Sequence, residues 1–189
     1  MNPRWLGGYF LIAGRSLLDP NFFRSVVLVL EHNEQGALGL IVNRPTGLKL
    51  KSLFEQLDQL PEVDGAVFVG GPVQPGAVFL LHNVSGLESP GEEVCPGVFA
   101  ASNLGVFRQV FQAVASGYEN VRFRVCGGYA GWGPQQLESE LARADWLVLP
   151  AEAELVFEHD PYQLWEHAYR KALEHNRLLP HLKGNPEWN

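Results

Sequence analysis

Cysteine is scarce in this chain. Cys95 and Cys126 are the only two in 189 residues, far apart and in no C-x-x-C pair. That excludes a disulfide framework and a cysteine-rich zinc site, and it suits a reducing cytosol. Long apolar runs are missing too, since no segment reaches the roughly 20 residues needed to cross a bilayer. The opening "MNPRWLGGYFLIAGR" loosely mimics a secretory signal, but Gly7 and Gly8 interrupt its apolar stretch and no small-x-small cleavage site follows. The expectation is a cytoplasmic protein without a membrane segment. Basic runs are absent as well. The 14 Lys and Arg are outnumbered by 21 Asp and Glu for a net charge of −7, and the Arg residues stand singly. With no helix-turn-helix signature either, direct nucleic-acid binding is disfavoured.

The complete phosphate and nucleophile signatures are also missing. No G-x-x-x-x-G-K-[ST], dinucleotide G-x-G-x-x-G or G-x-S-x-G elbow occurs. What is present is an ordinary globular composition, 46% hydrophobic and 19% charged, with five Trp and eleven Phe for a core. At this length one domain covering residues 1–189 is expected.

Strand-length apolar runs alternate with helical stripes. Tyr9–Ala13, Ser25–His32 and Ala37–Asn43 read as strands, the last two joined as a hairpin through "NEQG" and apolar at consecutive positions, hence covered on both faces. "LKSLFEQL" from Leu50 reads as a short helix. "AVFVGG" and "AVFLLH" read as strands joined by a "GPVQPG" turn. Residues 103–116 read as a helix with Leu104, Phe107, Phe111 and Val114 on its buried stripe, capped at Ser102 or Asn103 and stopped by Gly117. Strand Val121–Cys126 runs into "GGYAGWGPQQLESE", taken as a turn feeding a helix that starts near Pro134. "WLVLP" and "LVF" read as strands, and an amphipathic helix closes the chain at about 162–179. The sum is an α+β fold around a mixed sheet.

Several residues could carry chemistry. His32 with Asn33 and His82 with Asn83 sit in an internal echo, "LEHNEQG" and "LLHNVSG", at strand ends where an imidazole serves as general base or structural acceptor. Cys126 paired with either histidine is the nucleophilic alternative, against a buried inert thiol. Arg24 and Arg44 read as anion clamps or as structural arginines with a carboxylate partner. His159, His167 and His175 recur every eight residues, a step of about 80° on a helix, so they are not expected to converge on a metal. Glu92/Glu93 and Glu138/Glu140 read as solvated faces. In the glycine run, free amides near Gln135 and Gln136 make an anion site in principle, but the acidic first turn opposes it.

"DPNFFRSVVLVLEHNEQGALGLIVNRPT", "VFVGGPVQPGAVFLLH" and "GGYAGWGPQQLESE" followed by "WLVLP" occur in an order and spacing that resembles the YqgE/AlgH family of bacterial proteins. The resemblance runs from about Leu11 to Phe157. It implies an α+β fold with a large, curved mixed sheet flanked by helices, a cytoplasmic setting, and no established catalytic activity or cofactor. One branch is named for a regulatory effect on alginate synthesis. The family's motif usually reads G-Y-A-G-W-x-P-G-Q-L, and Gln135 stands where the last glycine is expected. The function anticipated is therefore a non-catalytic binding or regulatory protein that acts on an unidentified protein or small ligand and touches transcription only indirectly. The alternative is a cofactor-free enzyme using Cys126 or His32 and His82. The anticipated surface comprises His32, Asn33, Asn43, Arg44, Gly70, Gly71, His82, Gly128, Tyr129, Gly131, Trp132 and Gln136.

Overall fold

A computed structural model describes residues 4–54, 60–87 and 89–178. Ten strands form one curved sheet in the order β10-β1-β2-β3-β9-β6-β8-β7, with β5 against β9 and β4 outside β5. The strands are β1 (Tyr9–Ala13), β2 (Val26–Asn33), β3 (Gly36–Ile41), β4 (Pro45–Lys49), β5 (Ala66–Val69), β6 (Val73–His82), β7 (Glu92–Cys95), β8 (Val98–Ala101), β9 (Phe123–Trp132) and β10 (Trp146–Pro150). Among the described residues the helices are α1 (Leu50–Phe54), α2 (Leu104–Ala115), α3 (Gln136–Ala142), α4 (Ala153–Phe157) and α5 (Pro161–Leu178). Pairing is antiparallel except between β5 and β9, so the sheet is mixed and curls into a half-barrel of an α+β domain.

The β2–β3 hairpin turns on Glu34 and Gln35, with Asn33 opposite Gly36. Its apolar run does face two ways. Val26, Leu28, Leu40 and Val42 join a core covered by α4 and α5, whereas Val27, Val29 and Ile41 join a second core on the opposite face with Leu137 of α3. A third core packs α2 on the β6–β9 half through Val106, Phe107, Val110 and Phe111. Each fully buried Phe there removes enough apolar area from water to contribute about 2–3 kcal/mol.

Helix α2 begins and ends for local reasons. Asn103 Oδ1 accepts from the Val106 N–H at 3.0 Å, and the Gly117 and Tyr118 amides close back on Val114 and Ala113 with Gly117 at φ 80°. Its buried stripe is rotated from the expected one, for Leu104 is exposed and Val106 and Val110 are buried instead. Other elements depart from the expectation as well. "LVF" lies in helix α4, because a three-residue apolar run carries no period to separate helix from strand. "VNRPT" reads as a turn, but Pro45 and Thr46 belong to β4, and β7 and β8 were not anticipated. Residues 55–57 of the expected first helix, and residue 179 of the last, lie outside the described residues.

The largest departure concerns "GPVQPG". It is not a hairpin turn between β5 and β6, for most of it belongs to β6, and β9 lies between the two strands. β5 runs along one edge of β9, Val67–Val69 against Val125–Gly127, and β6 along the other, His82 against Phe123 and Val78 against Gly127. The chain from Val69 to Val73 therefore crosses β9. Glycines make the crossing possible. A Cβ on Gly70 would stand 2.3 Å from Gly128 O, one on Gly71 2.1 Å from the Tyr129 carbonyl carbon, and one on Gly128 2.5 Å from Gly71 O. Gly70 and Gly71 on one segment and Gly128, far away in sequence, are the place where two backbones touch.

Candidate functional site

The glycine run is mostly strand. Cys126–Trp132 belong to β9, and the corner to α3 is confined to Gly133–Gln135, so the helix starts two residues after Pro134. Gln135 adopts φ 61° and ψ 3°, in the left-handed region where glycine is at ease. The motif's customary glycine is thus accounted for by backbone conformation. Gln136 turns its side chain back into this corner, its Oε1 accepting from the Gly133 N–H at 3.0 Å and its Nε2 donating to Glu140 Oε1 at 2.9 Å.

The acids of α3 are not a solvated face. Glu140 Oε2 accepts from both indole N–H groups, Trp132 and Trp146, at 2.8 Å each. Glu138 Oε1 lies 3.1 Å from His32 Nε2. His32 itself is buried, its Nδ1 accepts from the Leu6 N–H at 3.2 Å, and Trp5 meets the ring edge-on at 5.2 Å. With Nδ1 taken as acceptor, the ring proton sits on Nε2 and points at the carboxylate. His32 thereby joins the N-terminal segment, β2 and α3.

His82 lies at the other end. It pairs with Phe123 at the start of β9, whereas His32, through Ala37, is in line with Trp132 at its end. The ten-residue strand between them has a contour of roughly 30 Å. Both His82 nitrogens are engaged by backbone. Nε2 donates to Pro90 O at 2.6 Å and Nδ1 accepts from the Val84 N–H at 3.2 Å, with burial holding its pKa below the ordinary imidazole value. Cys126 is three strand positions from Phe123, about 10 Å, and belongs to the opposite core. Burial pushes its thiol up to about 12, against a lesser opposing effect of Arg124. The alternative Cys126–His pairing does not form, because the register separates its members, and Cys126 is a buried thiol.

The other anticipated residues serve the chain. Asn33 closes its own turn, accepting from the Gln35 N–H and donating to Glu31. Asn43 ties β2 to the preceding loop through the Val26 N–H at 2.8 Å and Arg24 O at 2.9 Å. Arg44 takes the structural reading through backbone carbonyls. Its guanidinium donates to the carbonyls of Pro20, Asn21 and Phe23 at 3.3, 2.5 and 2.8 Å, and burial lowers its pKa against the pull of Asp19. Tyr129 is half-buried against Phe79, its ring lying beside exposed Gly131. Gly70, Gly71 and Gly128 form the crossing. His159 and His167 do meet, their centroids 4.6 Å apart, because His159 precedes α5 and is free of its helical phase. Among the described residues no group of three or more His, Cys, Asp or Glu could hold a metal ion.

Two features went beyond the sequence reading. One is the way the loop Leu17–Arg24 is held, although "SLLDPNFF" reads as a turn in which Pro20 fixes its own φ and Asp19 bonds nearby amides. Its Asp19 carboxylate and carbonyl accept from Asn21, Phe22 and Phe23 amides, and Phe22 stacks on Trp132 at 6.1 Å and meets Trp146 edge-on at 5.5 Å. Leu18 and Phe23 are left 76% and 47% exposed. The turn was legible, but its distant supports were not. The other is Arg124, 5% exposed within β9, which nothing in "VRFRVC" distinguishes from a solvent-facing strand arginine.

These features define a single-domain α+β protein whose half-barrel sheet is joined across a glycine crossing and whose motif side chains hold loops in place. The chain belongs to the AlgH-like family, which its residues 10–175 match. It is 42% identical over 162 residues to a UPF0301 protein of Thioalkalivibrio sulfidiphilus, covering 84% of this chain and 85% of that one. A UPF0301 protein of Myxococcus xanthus is 40% identical over 85% of this chain and 87% of its own length. The solution structure of AlgH from Pseudomonas aeruginosa superposes with a TM-score of 0.71 at 35% identity over 98% of this chain and 97% of that one. A crystal structure from Corynebacterium diphtheriae shares the fold at 22% identity and a TM-score of 0.71, covering 90% and 89%.

Proposed function

We propose that this protein is a non-catalytic binding protein of the cytoplasm that presents the Leu17–Arg24 loop to a protein partner. One observation carries the reading: three motifs distant in sequence spend their side chains on holding this one loop. Asn43 and Arg44 of "VNRPT" bind its carbonyls, Trp132 of the glycine run and Trp146 of "WLVLP" support Phe22, and Leu18 and Phe23 face solvent. An ordered loop offering large apolar side chains loses little entropy on binding. Its rim is basic in an acidic protein, with Arg24 over Phe23 and Trp165 and Arg15 over Tyr169. The fitting partner carries apolar side chains flanked by acidic ones. Any influence on transcription is proposed to run through that partner and not through contact with DNA. No helix among the described residues is long and apolar enough to cross a membrane.

A photo-crosslinking amino acid in place of Phe23, with one in place of exposed Tyr118 as control, tests this in cells. The expected result is a discrete product from position 23 only, lost when Leu18→Ser is added, with Tm unchanged within about 2 °C because both residues are surface positions. Equal, diffuse labelling at both positions would overturn the proposal.

A further inference from the structure

Arg124 is a buried charge within β9. It lies on the β9 face that carries Cys126, and its guanidinium stacks 4.2 Å from the Phe68 ring centroid. Nη1 donates to Val42 O. No carboxylate among the described residues forms an ion pair with it. Cys126 does not supply the counter-charge, since its thiol is neutral at physiological pH. Burial lowers the Arg124 pKa to about 10, which leaves it protonated at neutral pH. A guanidinium has five N–H donors, and a charge removed from water without a counter-charge is costly.

The rest of the guanidinium is not sealed in. Among the described residues, the side-chain nitrogen and oxygen atoms closed off from solvent with no partner are Ser25 Oγ and Glu138 Oε2, and those of Arg124 are not among them. With Arg124 5% exposed, the N–H edge left over from Val42 keeps a small solvent-accessible margin. Phe68 fixes the plane of the group and Val42 its rotation, so that edge is held ready. Ordering costs that a mobile surface arginine would meet on binding are already met in the fold.

We propose that Arg124 is a recessed anion site that takes the terminal carboxylate or phosphate of a small ligand on its open N–H edge. Two oxygens in a plane match the fork of the guanidinium, which makes an oxyanion the natural class. The narrow exposure admits an end group and excludes a folded partner. This site is separate from the Leu17–Arg24 loop and does not depend on it.

The full-length protein is titrated with sodium phosphate and, separately, sodium acetate, with ionic strength held constant by sodium chloride, while the Arg124 Nε–H resonance is followed by NMR. A saturable shift in the millimolar range is expected with at least one anion, accompanied by a rise in Tm. A response to phosphate alone assigns phosphate esters, and to acetate alone carboxylates. Arg124→Met is expected to lose the response and, in anion-free buffer, to equal or exceed the wild type in stability, because an unpaired buried charge has been removed. Arg124→Lys keeps the charge without the fork and is expected to bind severalfold more weakly. No saturable shift with either anion, or an unchanged Tm response in Arg124→Met, overturns the proposal. Should Arg124→Met not fold, the wild-type Nε titration decides by itself.

Discussion

Gln135 sits at φ 61°, a conformation a side chain enters at a cost of about 1–2 kcal/mol. Its side chain makes no capping hydrogen bond to offset that. Gln135→Gly should stabilise the protein by about 0.5–1 kcal/mol, part of the strain relief being offset by the greater freedom of glycine in the unfolded chain; a lower urea midpoint would contradict this account. His82 makes a pH-dependent contribution. Its folded pKa lies below the unfolded value of about 6.5, so the unfolded chain binds the proton first. The stability it confers is fully present above that value and is lost as pH falls from about 6.5 toward the depressed folded value. His82→Leu orphans Pro90 O and the Val84 N–H and should cost about 1–3 kcal/mol at pH 7.5, with the gap to wild type narrowing at pH 5. A gap that stays constant with pH would remove the titration argument. Both histidines were legible as residues worth inspecting, from their place at strand ends. Their partners were not, since Leu6, Glu138 and Pro90 are chosen by the fold.

Among the elements, the β5–β9–β6 crossing explains most. A strand, a glycine pair and a second strand read as a hairpin because neighbours in sequence usually pair. The glycines of "VFVGGP" are needed because a third strand, from some fifty residues later, passes between. Gly71→Ala and Gly128→Ala should each cost more than about 3 kcal/mol or prevent folding, since the new methyl meets backbone that has nowhere to go. Gly76→Ala, in the same segment but with nothing within 4 Å, should change stability by less than about 0.5 kcal/mol. Urea unfolding of the three variants separates the crossing from a general intolerance of the loop. Helix α2 shows the reverse case. Its cap and stop were legible because Asn103 and Gly117 act within a turn of their own position, while its buried stripe was rotated because the sheet beneath decides which side faces in.

For the molecule as a whole, burial decides the chemistry of the two thiols. Cys95 is pushed up to about 11, first by burial and then by Glu93, and Cys126 to about 12. Native protein at pH 8 should therefore resist iodoacetamide at both cysteines and react at two only after unfolding, with the alkylation rate tracking global opening. Rapid labelling of Cys126 in the native protein would contradict the packing between β5 and β6. The same enclosure separates the anticipated site into parts. His32 and Trp132 gather around α3, Asn43 and Arg44 around the Leu17–Arg24 loop, and His82 stands at the far end of β9.

Alternation, caps and turn chemistry act over a few residues, so β1, the β2–β3 hairpin with its two buried faces, α2, β10 and α5 are legible in the chain alone, and the ordered motifs mark the family. The structural roles of those motifs emerge only on folding. A glycine that admits a crossing strand, an arginine that serves three carbonyls and an arginine with no carboxylate partner among the described residues are not told apart in one dimension. Their roles depend on which distant backbone or side chain the folded sheet brings within 3 Å.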